Sequence, residues 1–330
     1  WWPNKDHVSD KPDSMRIRIT VPQPLVVATN GRLESMAEHE DGDRTYNWFV
    51  STPISAYNVA LNIAPYRTIE RDYESVTGET FPVIFWVLPQ SLEDGEALMP
   101  EILAHLRWFE ETLGPYPFRA DKYGVAQTPH LGMEHQSIIA YGANFNNAAM
   151  TGGEDWGFDA LHHHELSHEW WGNLVTNADW KDMWIHEGFG SYMQALWLEE
   201  TQGIERYHEY MASIRPRIGN RLPTAPRHSL SAQEVYGSDI YFKGAWVLHT
   251  LRYLLGEEVV REALRRMAYP SEEAARATDG SQVRFASTAD VVGVFEELSG
   301  QKLDWLFEAY LREAELPVLE AVSYTHLRAH

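Results

Sequence analysis

No cysteine occurs in the 330-residue chain, which excludes disulfides and thiolate metal sites and leaves histidine and carboxylate as the ligands for any metal. Basic residues are scarce: 27 Lys and Arg stand against 48 Asp and Glu, a net charge of -21, and no Lys/Arg-rich run breaks the acidic background. Such a surface repels phosphate backbones, so nucleic acid is not an expected partner. Long hydrophobic runs are also missing. The longest candidate, Phe81 to Leu88, stops at strand length, short of the roughly eighteen apolar residues a spanning helix needs. No membrane-spanning segment is expected, and the chain reads as soluble. The opening residues, Trp1-Trp2-Pro3-Asn4-Lys5-Asp6, have no initiator Met, basic start or apolar core, so they do not read as a signal peptide. The chain reads as starting inside a domain, and its cellular location stays open.

What is present is ample apolar material: 44% hydrophobic residues in this length suffice for two cores. From Met15 to about Ala64, short β-rich runs such as Arg16 to Val21 and Tyr46 to Val50 are separated by Pro, Asn-Gly and Asp-Gly-Asp. They predict antiparallel sheet, with Asn30-Gly31 as a hairpin turn. Near residue 65 the character changes. A further apolar run, Pro82 to Leu88, precedes helical periodicity over Gly95 to Leu113, and from Asp159 onward the pattern is mainly helical. A first helix is expected from Asp159 to Trp171, stopped by Gly172-Asn173. Others are expected over Trp184 to Glu200, Ile240 to Leu255, Glu257 to Met267 and Ala289 to Leu298. Three segments result: 1–65, β-rich; 66–321, mainly helical; and 322–330, whose sequence VSYTHLRAH reads as a non-native tail.

The chemistry concentrates in the second segment. His164-Glu165-Leu166-Ser167-His168 lies in a helical stretch, where positions i and i+4 share a face. Both imidazoles can reach one ion there, and Glu165 flanks it as a base; this is the HExxH arrangement that binds zinc. Catalytic zinc needs three protein ligands and an open position. After His168 come eighteen residues and then Glu187, near the start of a second helix with Trp184, Phe189 and Tyr192 to pack it down. Helix, turn and helix can return that carboxylate to the imidazoles. His162 and His163 read as helix neighbours of the site rather than ligands.

HExxH, eighteen residues, then Glu-Gly resembles the signature of the gluzincin aminopeptidases, the family of aminopeptidase N and leukotriene hydrolase. The flanking Trp170-Trp171-Gly172-Asn173 and Trp184 to Phe189 are similar to that family too. Gly132-Met133-Glu134-His135 resembles the segment whose Glu binds the free α-amine of the substrate, with Leu131 in place of the family's first Gly and His135 in place of its Asn. Tyr241-Phe242-Lys243-Gly244 resembles the segment whose Tyr donates a hydrogen bond to the oxyanion. Tyr236, five residues earlier, competes for that role.

The resemblance, running from Trp1 to about Leu319, implies an α+β architecture: a thermolysin-like, mainly helical catalytic domain preceded by part of an antiparallel β domain. The front of that β domain, which supplies the family's second amine-binding Glu or Gln, is expected to be missing. It also implies one zinc ion on His164, His168 and Glu187, with Glu165 as general base and Tyr241 on the oxyanion. Glu134 then grips the amine beside Gly132, Met133 and, at the pocket edge, His135. The implied partners are peptides with a free N-terminus. An endopeptidase or epoxide hydrolase would use the same metal, and a catalytically dead scaffold is the reading from another class; dead members typically lose a ligand or the base, and His164, Glu165, His168, Glu187 and Tyr241 are all in place.

Overall fold

The structure, a computed structural model, describes residues 2–317. The expected tail at 322–330 lies outside them.

Alternation builds the first part. In β1 (Met15–Pro22), Ile17 and Val21 are buried while Arg16, Arg18 and Thr20 face outward, the period of two of a one-sided sheet. β2 (Val26–Ala28), β3 (Arg32–Glu38), β4 (Asp43–Val50) and β5 (Asn62–Ala64) follow. β4 is the centre of an antiparallel sheet ordered β1-β4-β3, and β2 pairs separately with β5.

Asn30-Gly31 is not the expected hairpin turn, because β2 and β3 on either side of it do not pair with each other. The turn signal is local, whereas Asn30 is fully buried and bonded far along the chain. Its amide donates to Asn58 O at 2.8 Å and Gln136 O at 2.7 Å, and its oxygen accepts from Ala60 N at 2.8 Å. Gly31 takes a positive φ, and a Cβ there would also overlap the Phe49 carbonyl of β4, so both favour glycine.

The chain then enters a mixed sheet. β6 (Arg67–Glu74) and β7 (Thr80–Val87) form a hairpin, α1 (Leu92–Leu113) crosses over, and β8 (Tyr123–Gln127), β9 (Gly132–Met133) and β10 (Ile139–Tyr141) complete the order β6-β7-β8-β10-β9. The two-residue β9 is therefore an edge strand. β7 has apolar residues on both faces: Phe81, Val83, Phe85 and Val87 join the main core with the helices, while Ile84 and Trp86 face the β-rich part. Trp86 meets Trp48 of β4 edge to face at 6.1 Å. We propose the division near residue 65 as the point where the chain passes from one apolar cluster to the other; Tyr66 lies in the first and Ile69 in the second.

The rest is mostly helical: α2 (Ala160–Ser167), β11 (Val175–Asn177), α3 (Trp184–Gln202), α4 (Ile204–Ile214), α5 (Ala232–Val235), α6 (Ser238–Leu255), α7 (Glu257–Ala268), α8 (Glu272–Arg276), β12 (Arg284–Ala286) and α9 (Thr288–Ser299). β12 pairs in parallel with β11. In α7 the buried residues Val260, Ala263, Leu264 and Met267 fall on one face, the stripe the periodicity predicts. Among the described residues, no helix is long and apolar enough to cross a membrane.

α2 ends earlier than expected, at Ser167 rather than Trp171. The backbone tightens, with His168 N bonding to Glu165 O, and then loops wide: Asn173, Leu174 and Val175 bond back to the carbonyls of His168, Glu169 and Trp170 at 2.9 to 3.0 Å. The sequence pattern runs on through Trp170 and Trp171 because both are fully buried, but they pack as a turn.

Candidate metal centre

The site begins with the helix that carries it. Asp159 caps α2, its carboxylate accepting from His162 N at 2.9 Å. One turn apart on one face, His164 and His168 bring their Nε2 atoms to 3.2 Å. Glu187, in the first turn of α3, places Oε2 at 3.5 Å from His164 Nε2 and 3.4 Å from His168 Nε2. Tetrahedral zinc with bonds of about 2.0 to 2.2 Å sets its ligand atoms roughly 3 to 3.7 Å apart, so the triangle has the size of such a site. Two details fit a metal. Glu187 Oε2 is buried with no hydrogen-bond partner, although both imidazoles are close. His168 Nδ1 lies 2.8 Å from Trp171 O, and donating there leaves its Nε2 lone pair for an ion.

Negative charge gathers around the triangle. Donor atoms of Glu134, Glu165 and His168 all lie within 4.8 Å of one another. Burial disfavours a charged His168, yet the carboxylates of Glu187, Glu134 and Glu165 push its pKa up to about 10. Burial likewise opposes charge on Glu187, but His168 and His164 hold it well below the usual carboxylate range. Glu165 goes the other way: burial raises it well above the ordinary value, and Glu134 and Glu187 add to this against the pull of His168. Glu134 is raised by burial and by Glu187, again against His168, and its Oε1 is buried without a partner. Such a concentration of carboxylates suits a cation.

Glycines let these groups approach. Gly132 of β9 lies against Glu165, whose Oε1 a Cβ would overlap, with Leu161 also within 2.6 Å of that position. Met133, next along β9, pairs with Ala140 of β10 and is half-buried. His135 is half-buried beside His130, ring centroids 6.4 Å apart, and burial lowers its pKa to about 4. Tyr241 of α6 stacks on His164, centroids 6.1 Å apart and planes at 24°. Tyr236 directs its hydroxyl at Glu187 Oε1, 3.5 Å away. A cavity of about 430 Å³ opens beside His164, Glu165 and Tyr241, with Leu161, Ser191 and Gln194 in its lining.

His162 and His163 turn away from the triangle. His162 bonds Tyr123 and His105, each at 2.9 Å, and His163 packs on Phe109 and Trp108. The sequence reading missed Tyr57, whose buried hydroxyl lies beside Glu134; burial, then Glu134 and Glu187, raise its pKa well above normal. It comes from the β-rich part in an unremarkable Ser-Ala-Tyr-Asn segment with no motif to flag it.

The chain is 28% identical over 308 residues to Aminopeptidase N of Streptomyces lividans, covering 85% of this chain and 33% of that one. It is 24% identical to Aminopeptidase M1 of Arabidopsis thaliana, covering 93% and 35%. It thus spans about a third of the length of these curated relatives. A crystal structure of an M1 zinc metallopeptidase from Deinococcus radiodurans superposes with a TM-score of 0.75 at 24% identity, over 98% of this chain and 69% of that one, which shows the fold. Residues 102–310, from within α1 almost to the end of the described chain, match the Peptidase family M1 domain, and the chain belongs to that family.

Proposed function

We propose that this chain is the catalytic part of a zinc aminopeptidase that removes the first residue from peptides with a free N-terminus. The observation that carries the proposal is the triangle of His164, His168 and Glu187, with Glu165 and Glu134 set against it. The relatives named aminopeptidase and the zinc metallopeptidase of similar fold supply the reaction class and the ion. The helix bearing two ligands, the following helix bearing the third and the mixed sheet with its short edge strand support a thermolysin-like catalytic domain.

Bound zinc supplies Lewis acidity to a carbonyl and to water. Glu165 takes the proton from the attacking water and returns it to the leaving amine, so one carboxyl acts first as base and then as acid. Tyr241 donates its hydroxyl to the developing oxyanion, since a phenol stays a donor at neutral pH. Glu134 holds the substrate ammonium, and Gly132 and Met133 offer an edge strand along which an extended peptide can lie. An ammonium held there allows only one residue before the metal, which makes the cut an exopeptidase one.

The test is cleavage of a panel of free-amine peptides and their N-acetylated forms, with and without chelator. We expect cleavage of the free-amine peptides alone, abolished by chelation. Equal cleavage of both forms would point to an endopeptidase, and cleavage that survives chelation would remove the metal from the reaction.

A further inference from the structure

The segment that carries Glu134 is held by buried side chains from separate parts of the chain. Asn173 Nδ2 donates to the Glu134 carbonyl at 3.0 Å, and Asn30 Nδ2 to the Gln136 carbonyl at 2.7 Å. At Ser137, whose φ of +59° is unusual for a non-glycine residue, three partners meet. Its N–H donates to Glu169 Oε1 at 2.7 Å, its carbonyl accepts from Lys122 Nζ at 2.8 Å, and its hydroxyl accepts from Gly31 N at 2.9 Å. Asn30, Asn173 and Glu169 are all 0% exposed.

Two of these partners belong to the metal helix's own continuation. Glu169 directly follows the ligand His168, and Asn173 closes the wide turn after it, its N–H bonded to His168 O at 2.9 Å. Asn173 Nδ2 also reaches Glu169 Oε2 at 3.3 Å, so the two side chains orient each other. Its Oδ1 accepts from Asn58, which fixes the amide with Nδ2 toward Glu134. The early end of α2 has a use here: a helix continued to Trp171 would carry Glu169 and Asn173 away on a straight axis instead of folding them under the Glu134 segment.

We propose that Glu169 and Asn173 are positioning residues that fix Glu134 relative to the metal, so that the ammonium and the scissile carbonyl are presented at one set spacing. This rests on the reading of Glu134 as the amine-binding group. A displacement of the reacting groups by an ångström is enough to cost a large factor in rate, and these hydrogen bonds join the two elements whose separation sets that distance.

The test uses this chain, an aminoacyl p-nitroanilide and the analogue in which hydrogen replaces the α-amine. The readout is the preference ratio, kcat/KM for the amine substrate over kcat/KM for the analogue. Asn173→Ala is expected to lower the ratio by about tenfold, the scale of losing the charge-assisted bond between Glu134 and the substrate ammonium, with zinc content unchanged. Added to Glu134→Ala, it should change the ratio by less than about twofold, because coupled residues are not additive. A ratio that Asn173→Ala leaves intact, with both substrates slowed alike, makes Asn173 merely structural and overturns the proposal. Should Asn173→Ala fail to fold, Glu169→Gln keeps the size and one acceptor oxygen but sets an NH2 against that of Asn173. A several-fold drop in the ratio is expected there, and an unchanged ratio overturns the proposal equally. If Glu134→Ala itself leaves the ratio unchanged, the amine reading fails instead, and the two failures are told apart by that single variant.

Discussion

Gly188 of α3 and Gly244 of α6 touch through bare backbone: a Cβ on Gly188 would lie 2.8 Å from the Gly244 Cα, and one on Gly244 would lie 2.9 Å from the Gly188 Cα. Each glycine sits next to or near a residue that matters, Gly188 after Glu187 and Gly244 three positions after Tyr241. Their contact is what brings α6 close enough for Tyr241 to stack on His164. Gly244→Ala gains about 1 kcal/mol of helix propensity but forces the helices apart, and overpacking typically costs about 1 to 3 kcal/mol. We expect a lower melting temperature together with a loss of activity larger than the stability change explains, because Tyr241 moves with the helix. Calorimetry and kinetics at a temperature where both proteins are folded check this. Full activity in a folded variant would remove the helix contact from the account.

Glu165 and His168 should separate chemistry from metal binding. Glu165→Gln is expected to retain zinc and lower turnover by at least ~100-fold, since only the proton transfer loses its base. His168→Phe should do the opposite and empty the site, because one of three ligands is gone and the turn that Trp171 O anchors is lost with it. Metal analysis of both purified proteins decides the matter; zinc missing from the first would show Glu165 to be a ligand.

The parts of the site legible in the sequence are those set by local geometry. His164 and His168 are one helical turn apart, and the second helix announced by Trp184 to Tyr192 brings Glu187 back to them, so the convergence could be read from spacing. Chain punctuation was less legible. Asn30-Gly31 has the chemistry of a turn, yet Asn30 is claimed by Gln136, 106 residues away, and no local pattern carries that. The same is true of Tyr57 beside Glu134 and of Lys122 beneath Ser137. A polar residue's burial is fixed by partners distant in sequence, whereas hydrophobic periodicity reports only which side of a helix or strand faces inward. That is also why the main helices were placed to within a few residues while the end of α2 was not.

Tyr241 and Tyr236 both approach the triangle, one over His164 and the other toward Glu187 Oε1. A group that helps only in the transition state lowers kcat and kcat/KM together when removed and leaves ground-state binding alone. We expect this pattern for Tyr241→Phe, with a loss of at least about 10-fold in kcat. Tyr236→Phe should have a smaller effect, since its hydroxyl is already directed at Glu187 Oε1, the carboxylate oxygen outside the triangle. Steady-state kinetics on one substrate compares the two, and a larger loss at Tyr236 would exchange their roles.

Lys122 is a cation enclosed by protein, 1% exposed, with Nζ donating to Thr29 O at 3.0 Å and Ser137 O at 2.8 Å and lying 5.3 Å from the Trp48 ring. Burial pulls its pKa down to about 7, against the opposing effect of Asp121 and Glu169. In the unfolded chain the amine keeps its proton to about pH 10.5. Between those values the unfolded chain binds more protons than the folded one, so this group makes stability rise with pH across the window and adds no slope below it. Lys122→Met removes the charge and the slope, but it strands two buried carbonyls at about 1 to 3 kcal/mol each. The variant should therefore be less stable than the parent throughout, by a margin that widens with pH. Denaturant unfolding of both proteins at about pH 6.5 and about pH 9.5 measures the two margins. Equal margins would mean that the folded protein keeps the proton on Lys122, held by the two carbonyls and the tryptophan face, and the pH-dependent part of the prediction would be lost.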